Sequence, residues 1–103
     1  MPTLSKLVRD HIPEIITKDN RHPVTHIASD AEYWEYLQQK LSEESAEVFE
    51  DENIAEELAD VLEVLHAIAR HKSIDFSGVE LLRSQKRESR GGFEQKIILD
   101  EIQ

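Results

Sequence analysis

The stretch from Lys40 to Glu63, KLSEESAEVFEDENIAEELADVLE, decides how this chain folds. Apolar residues lead into it and through its first half at Leu37, Leu41 and Val48, with Glu44 at the intervening position. Steps of four, three and four residues trace one stripe of an α-helix, so Glu44 stands where a hydrophobe belongs. A carboxylate withdrawn from water there is costly unless it is paired or bound to a cation. Glu44 and Glu47 share one side of this helix, and Glu57 and Asp60 share one side of the next. Asp51, Glu52 and Asn53 break the apolar pattern between them. So short a connection makes the helices antiparallel neighbours, and the two acidic pairs face each other across the hairpin.

Outward from the hairpin, Ser29 and Asp30 offer N-caps for a first long helix from about Ala31 to Glu50. The second runs from about Ile54 to His71. Its apolar face is wide: Ile54, Leu58, Val61, Leu62, Leu65, Ile68 and Ala69. A third is expected over Val79 to Ser89, with Ser77 as its cap and Gly91-Gly92 as its stop. Near the start, Pro13 suits the first turn of a short helix through Ile16, and residues 19–23 read as a turn. Two runs are β-prone: residues 24–28, and residues 94–101 within the Phe93–Ile102 tail. They are expected to pair as a minor ribbon, although two strands alone are only marginally stable. The expected fold is mainly α, one domain over residues 1–103. The hairpin and one further helix cannot bury the wide apolar face, so dimerisation into a four-helix-bundle-type core is expected.

The chain has 103 residues, enough for one modest core, and no cysteine, so neither a disulfide framework nor a thiolate metal site is available. No apolar run is long enough to span a bilayer, and residues 1–16 show no signal-peptide core, so the expected compartment is the cytoplasm. A net charge of −10 argues against a nucleic-acid binder. Charge is unevenly placed: residues 43–63 are strongly acidic, whereas Lys86, Arg87 and Arg90 form a basic cluster. That separation suits a metal-holding part and a phosphate-holding part.

Carboxylates at the spacing of Glu44, Glu47, Glu57 and Asp60 suit Mg²⁺ or Mn²⁺, which take oxygen ligands and retain waters. Such sites commonly serve phosphates, because the ion bridges protein acids and substrate oxygens. Di-iron bundles use Glu-x-x-His on two helices, and only Glu63 with His66 fits that spacing here. By spacing alone Glu50, Asp51, Glu52 and Glu56 read as solvated charges. Trp34, Tyr33, Tyr36, Phe49 and Phe93 read as packing groups, and His66 and His71 as polar surface or a helix end.

Residues 40–47, KLSEESAE, followed by residues 56–63, EELADVLE, resemble the motif of the MazG-like, all-α nucleoside triphosphate pyrophosphohydrolases. That family includes phosphoribosyl-ATP pyrophosphatases of histidine biosynthesis and dimeric dUTPases. Residues 6–16, KLVRDHIPEII, and residues 86–93, KRESRGGF, are similar to flanking signatures of a small subgroup described as house-cleaning pyrophosphatases. The resemblance covers nearly the whole chain. It implies cleavage between the α and β phosphates of a nucleotide, giving the monophosphate and pyrophosphate. It implies Glu44, Glu47, Glu57 and Asp60 as holders of Mg²⁺, with Glu43 and Glu56 beside them as supporting acid or base. It also implies a homodimer or a dimer of dimers. The connection from Glu47 to Glu57 is shorter than in the better-known members, which lowers the weight of the histidine-biosynthesis reading.

The chemistry agrees with the residues. A phosphoanhydride needs its oxygens neutralised and a water aligned on phosphorus, and a carboxylate such as Glu43, Glu44 or Glu56 can take the water's proton. Lys86, Arg87 and Arg90, with Lys6 and Arg9 from the N-terminal segment, can hold phosphate, and Gly91-Gly92 allows backbone to approach an anion. The expected function is a Mg²⁺-dependent (or Mn²⁺-dependent) nucleotide pyrophosphohydrolase. The alternatives are the phosphoribosyl-ATP enzyme and a silent helical module that binds nucleotide or a protein partner.

Overall fold

A computed structural model describes residues 5–103 as four helices: α1 (Ile12–Lys18), α2 (Asp30–Val48), α3 (Ile54–His71) and α4 (Phe76–Arg90). The helices start where side chains can accept the first free backbone N–H groups. Ser29 Oγ accepts from the Glu32 N–H (3.2 Å) to open α2, and Asn53 Oδ1 accepts from the Glu56 N–H (3.3 Å) to open α3. α4 opens on Asp75, whose Oδ1 accepts from the Ser77 N–H (3.1 Å). Ser77 is therefore not the cap, and the helix starts three residues earlier than its apolar pattern suggests. Gly91 ends α4 at φ 85° and ψ 174°, a positive-φ conformation that glycine adopts without strain.

α2 and α3 form the antiparallel hairpin. At one end the rings of Tyr33 and Trp34, from the start of α2, lie 5.1 and 5.7 Å from His71 at the end of α3. At the other end Glu44, late in α2, meets Glu57 and Asp60, early in α3. The Lys72 ammonium sits 4.1 Å from the centre of the Trp34 ring and closes the aromatic end as a cation–π contact. His66 stacks on Phe76 at 3.7 Å and joins α3 to α4. Tyr33 and Trp34 are the packing groups their spacing implied. His66 and His71 do more than finish a helix surface: each is half-buried in a ring stack.

The buried positions are few. Leu37 is wholly buried in α2, and Val64 and Ala69 are buried in α3. Glu44 lies seven residues beyond Leu37, and Glu57 seven before Val64, so each helix buries a hydrophobe and then a glutamate along one facing stripe. The wide apolar face of α3 is split. Val61, Ile68 and Ala69 turn towards the hairpin, whereas Ile54, Leu58, Leu62 and Leu65 are exposed. Phe49 and Phe93 are also exposed, at 91 and 96%, and are not core residues. Among the described residues no strand forms, so the expected ribbon between residues 24–28 and 94–101 is absent. Val24, Ile27, Ile97, Ile98 and Leu99 all face solvent, and a lone two-stranded ribbon has too little to bury.

Candidate metal centre

Three carboxylates converge at the turn end of the hairpin. One oxygen each from Glu44, Glu57 and Asp60 lies within 4.8 Å of the others. Oxygens around a single octahedral Mg²⁺ at about 2.1 Å sit roughly 3–4 Å apart, so small side-chain adjustments suffice to close the set on one ion. Helix periodicity puts Glu57 and Asp60 on one face, and the antiparallel pairing sets Glu44 opposite them. Glu47, the fourth expected ligand, is not among the three that converge, although it is close enough to Glu57 to raise that carboxyl.

Glu44 and Glu57 are 7 and 9% exposed, and each keeps an Oε2 without a hydrogen-bond partner. Buried carboxylate oxygens left unpaired are costly, and a cation removes that cost. The other oxygen of Glu44 faces the Lys40 ammonium at 3.3 Å. Burial raises the Glu44 carboxyl above its ordinary range, with Lys40 opposing the shift and Glu47 and Asp60 adding to it. Glu57 is pushed up to about 7, first by burial and then by the adjoining Asp51 and Glu47. Asp51 moves the other way: the Asn53 N–H, 2.8 Å from its Oδ1, and the Glu57 carboxyl hold it in the charged form. A proton shared with Asp51 thus rests on Glu57 more readily than on an exposed carboxylate. Glu47, Glu50, Asp51 and Glu52 line an open, wholly acidic concavity beside this proton-sharing pair.

The remaining site candidates are spread out. Glu43 is half-buried in α2 next to Glu44, and Glu56 is exposed in the first turn of α3. Arg9 reaches the cluster, with its Nη2 2.8 Å from Asp60 Oδ1. Lys6 is exposed three residues earlier. Lys86, Arg87 and Arg90 are exposed on the last turns of α4, and among the described residues no hydrogen bond or ion pair joins them to the acidic cluster. Arg87 instead pairs with Glu94 at 2.7 Å, directly over Gly92, so the chain's own side chains fill the space expected to admit an anion.

Two residues of the site escape a reading by acidic spacing. Lys40 was visible as a base four residues before Glu44, a helical pair. Asp51 read as a solvated charge, because its approach to Glu57 depends on how the turn folds back onto Asn53.

No family model and no solved structure matches this chain. A protein of Mycolicibacterium smegmatis (strain ATCC 700084 / mc(2)155), described as an uncharacterized protein, is 51% identical over 45 residues. The match takes in 44% of this chain and 46% of that protein, so the chain spans less than half the length of the relative it resembles.

Proposed function

We propose that the chain is a divalent-metal-dependent nucleotide pyrophosphohydrolase of the MazG-like type, splitting a nucleoside triphosphate into monophosphate and pyrophosphate in the cytoplasm. The observation that carries this reading is the pair of nine-tenths-buried glutamates, Glu44 and Glu57, each with an unpaired oxygen, beside Asp60 on an antiparallel hairpin. The motif resemblance of residues 40–47 and 56–63 supports it. The donor set is all carboxylate and fits Mg²⁺ or Mn²⁺ rather than a soft metal.

Mg²⁺ held by Glu44, Glu47, Glu57 and Asp60 would supply neutralisation of the phosphate oxygens and a template for the attacking water. Glu57 must first give up its proton, and Asp51 is placed to pass it to solvent. Glu43, half-buried beside the ligand set, is the carboxylate assigned to accept the water's proton. Lys86, Arg87 and Arg90 would grip the outgoing pyrophosphate. A homodimer, or a dimer of dimers, completes the proposal. The exposed stripe of α3 would build a four-helix core.

The test is release of pyrophosphate and monophosphate from ordinary and modified nucleoside triphosphates and from phosphoribosyl-ATP. It is run with Mg²⁺, with Mn²⁺ and with chelator, beside a Glu44→Gln, Asp60→Asn double variant. Metal-dependent release that falls at least about 100-fold in the variant supports the proposal. Release only from phosphoribosyl-ATP would move the assignment to histidine biosynthesis. No release from any substrate by folded, metal-loaded protein would leave a nucleotide-binding module in place of an enzyme.

A further inference from the structure

We infer that Arg9 is a latch on the acidic cluster: it holds Asp60 against an incoming cation, and cation loading frees the N-terminal segment from the hairpin. The inference rests on the metal-binding reading above. Arg9 Nη2 lies 2.8 Å from Asp60 Oδ1 across 51 residues of sequence. Asp60 is one of the three carboxylates that converge, so guanidinium and cation draw on the same group. A guanidinium on Asp60 Oδ1 repels an incoming cation and occupies one of the oxygens it would take, and Mg²⁺ tolerates little distortion of its oxygen shell.

The pair is also weak enough to yield. Its side chains are 57 and 39% exposed, so solvent screens it, and its strength is that of an ordinary surface ion pair. Little else holds the segment. α1 buries no residue, and Leu7, Val8, Ile12 and Ile16 are only half-buried. Among the described residues Arg9–Asp60 is the one polar contact that ties residues 5–18 to α2 and α3. A seven-residue helix released from it has too few turns to persist alone. The freed guanidinium, whose fork suits phosphate oxygens, would then be available to substrate. Cation binding would thus precede phosphate binding by Arg9 and prepare for it.

The test uses the full chain and Mn²⁺ alone. Calorimetric titration compares wild type, Arg9→Gln and Lys6→Gln, the last removing the same charge from the same segment without touching Asp60. Hydrogen exchange read by mass spectrometry follows residues 12–18 with and without Mn²⁺. The latch requires Arg9→Gln to bind Mn²⁺ about two- to fivefold more tightly than wild type, the factor an exposed ion pair corresponds to, with Lys6→Gln close to wild type. It also requires Mn²⁺ to speed exchange in α1 of the wild type, and exchange in Arg9→Gln to be fast already. Equal affinities, equal tightening by Lys6→Gln, or slower exchange on adding Mn²⁺ would overturn the latch while leaving the metal site standing. No Mn²⁺ binding by wild type would overturn both.

Discussion

Glu57 is the residue on which the behaviour of the site turns. Its carboxyl is pushed up to about 7 by burial, Asp51 and Glu47, whereas in the unfolded chain it returns to its ordinary 4.5. Between those values the folded state holds more protons than the unfolded one, so stability falls as pH rises through that window and levels off above it. The raised Glu44 acts in the same direction. In chelator, the melting temperature should therefore drop from pH 5 to pH 8. Glu57→Gln, neutral at every pH, should flatten most of that slope, and thermal melts across pH check both points. Because a cation must displace the Glu57 proton, Mn²⁺ affinity should rise through pH 7 in the same titrations. A melting temperature that climbs with pH would show that Glu57 is charged in the fold and that its environment has been misread. The residues behind this prediction were only partly legible. Glu44, Glu47, Glu57 and Asp60 followed from helical spacing, because periodicity alone fixes which side chains share a face. Asp51 did not, since a turn has no period from which to infer where its side chain lies.

At the level of elements, caps and periodicity carried the hairpin. α3 begins and ends where its apolar pattern does, because Asn53 supplies an acceptor and Asp51, Glu52 and Asn53 offer no apolar face to continue α2. Asn53→Ala should lower stability by about 1 kcal/mol in urea unfolding, and Asn53→Gly by only a few tenths. The first turn of α3 carries Glu57, so the alanine variant should also weaken Mn²⁺ binding. A variant with unchanged stability would mean that the observed 3.3 Å cap contact contributes nothing in solution. Elements that depend on distant partners were less legible. β-prone residues made 24–28 and 94–101 look like strands, yet strand character becomes structure only when a sheet buries one face. For α4 the cap lay at Asp75, outside the apolar pattern used to place the helix, and so the start was set late.

The whole molecule is too open for its length. Its radius of gyration is 18.0 Å and its long axis 59 Å, whereas a compact chain of this length has a radius of about 13 Å. Leu37, Val64 and Ala69 alone make a core far smaller than a stable domain needs. Meanwhile Ile54, Leu58, Leu62 and Leu65, spaced by four, four and three residues, present an uncovered helical stripe on the far side of α3. The sequence showed a face too wide for the hairpin to cover, but not which of its residues would stay outside, because periodicity alone does not say which side the adjoining helix takes. A second copy covering the stripe would bury Ile54, Leu58, Leu62 and Leu65 and enlarge the core. Wild type should therefore sediment as a dimer or larger, with an unfolding midpoint that rises with protein concentration. Leu58→Lys combined with Leu62→Lys, both on the exposed stripe, should shift sedimentation to the monomer and remove the concentration dependence. Circular dichroism should then report helix loss beyond what two exposed substitutions cause, since the hairpin would be left to its own small core. A wild type that sediments as a monomer, with full helicity at low concentration, would mean that this stripe is tolerated in water and that the site is complete within one chain.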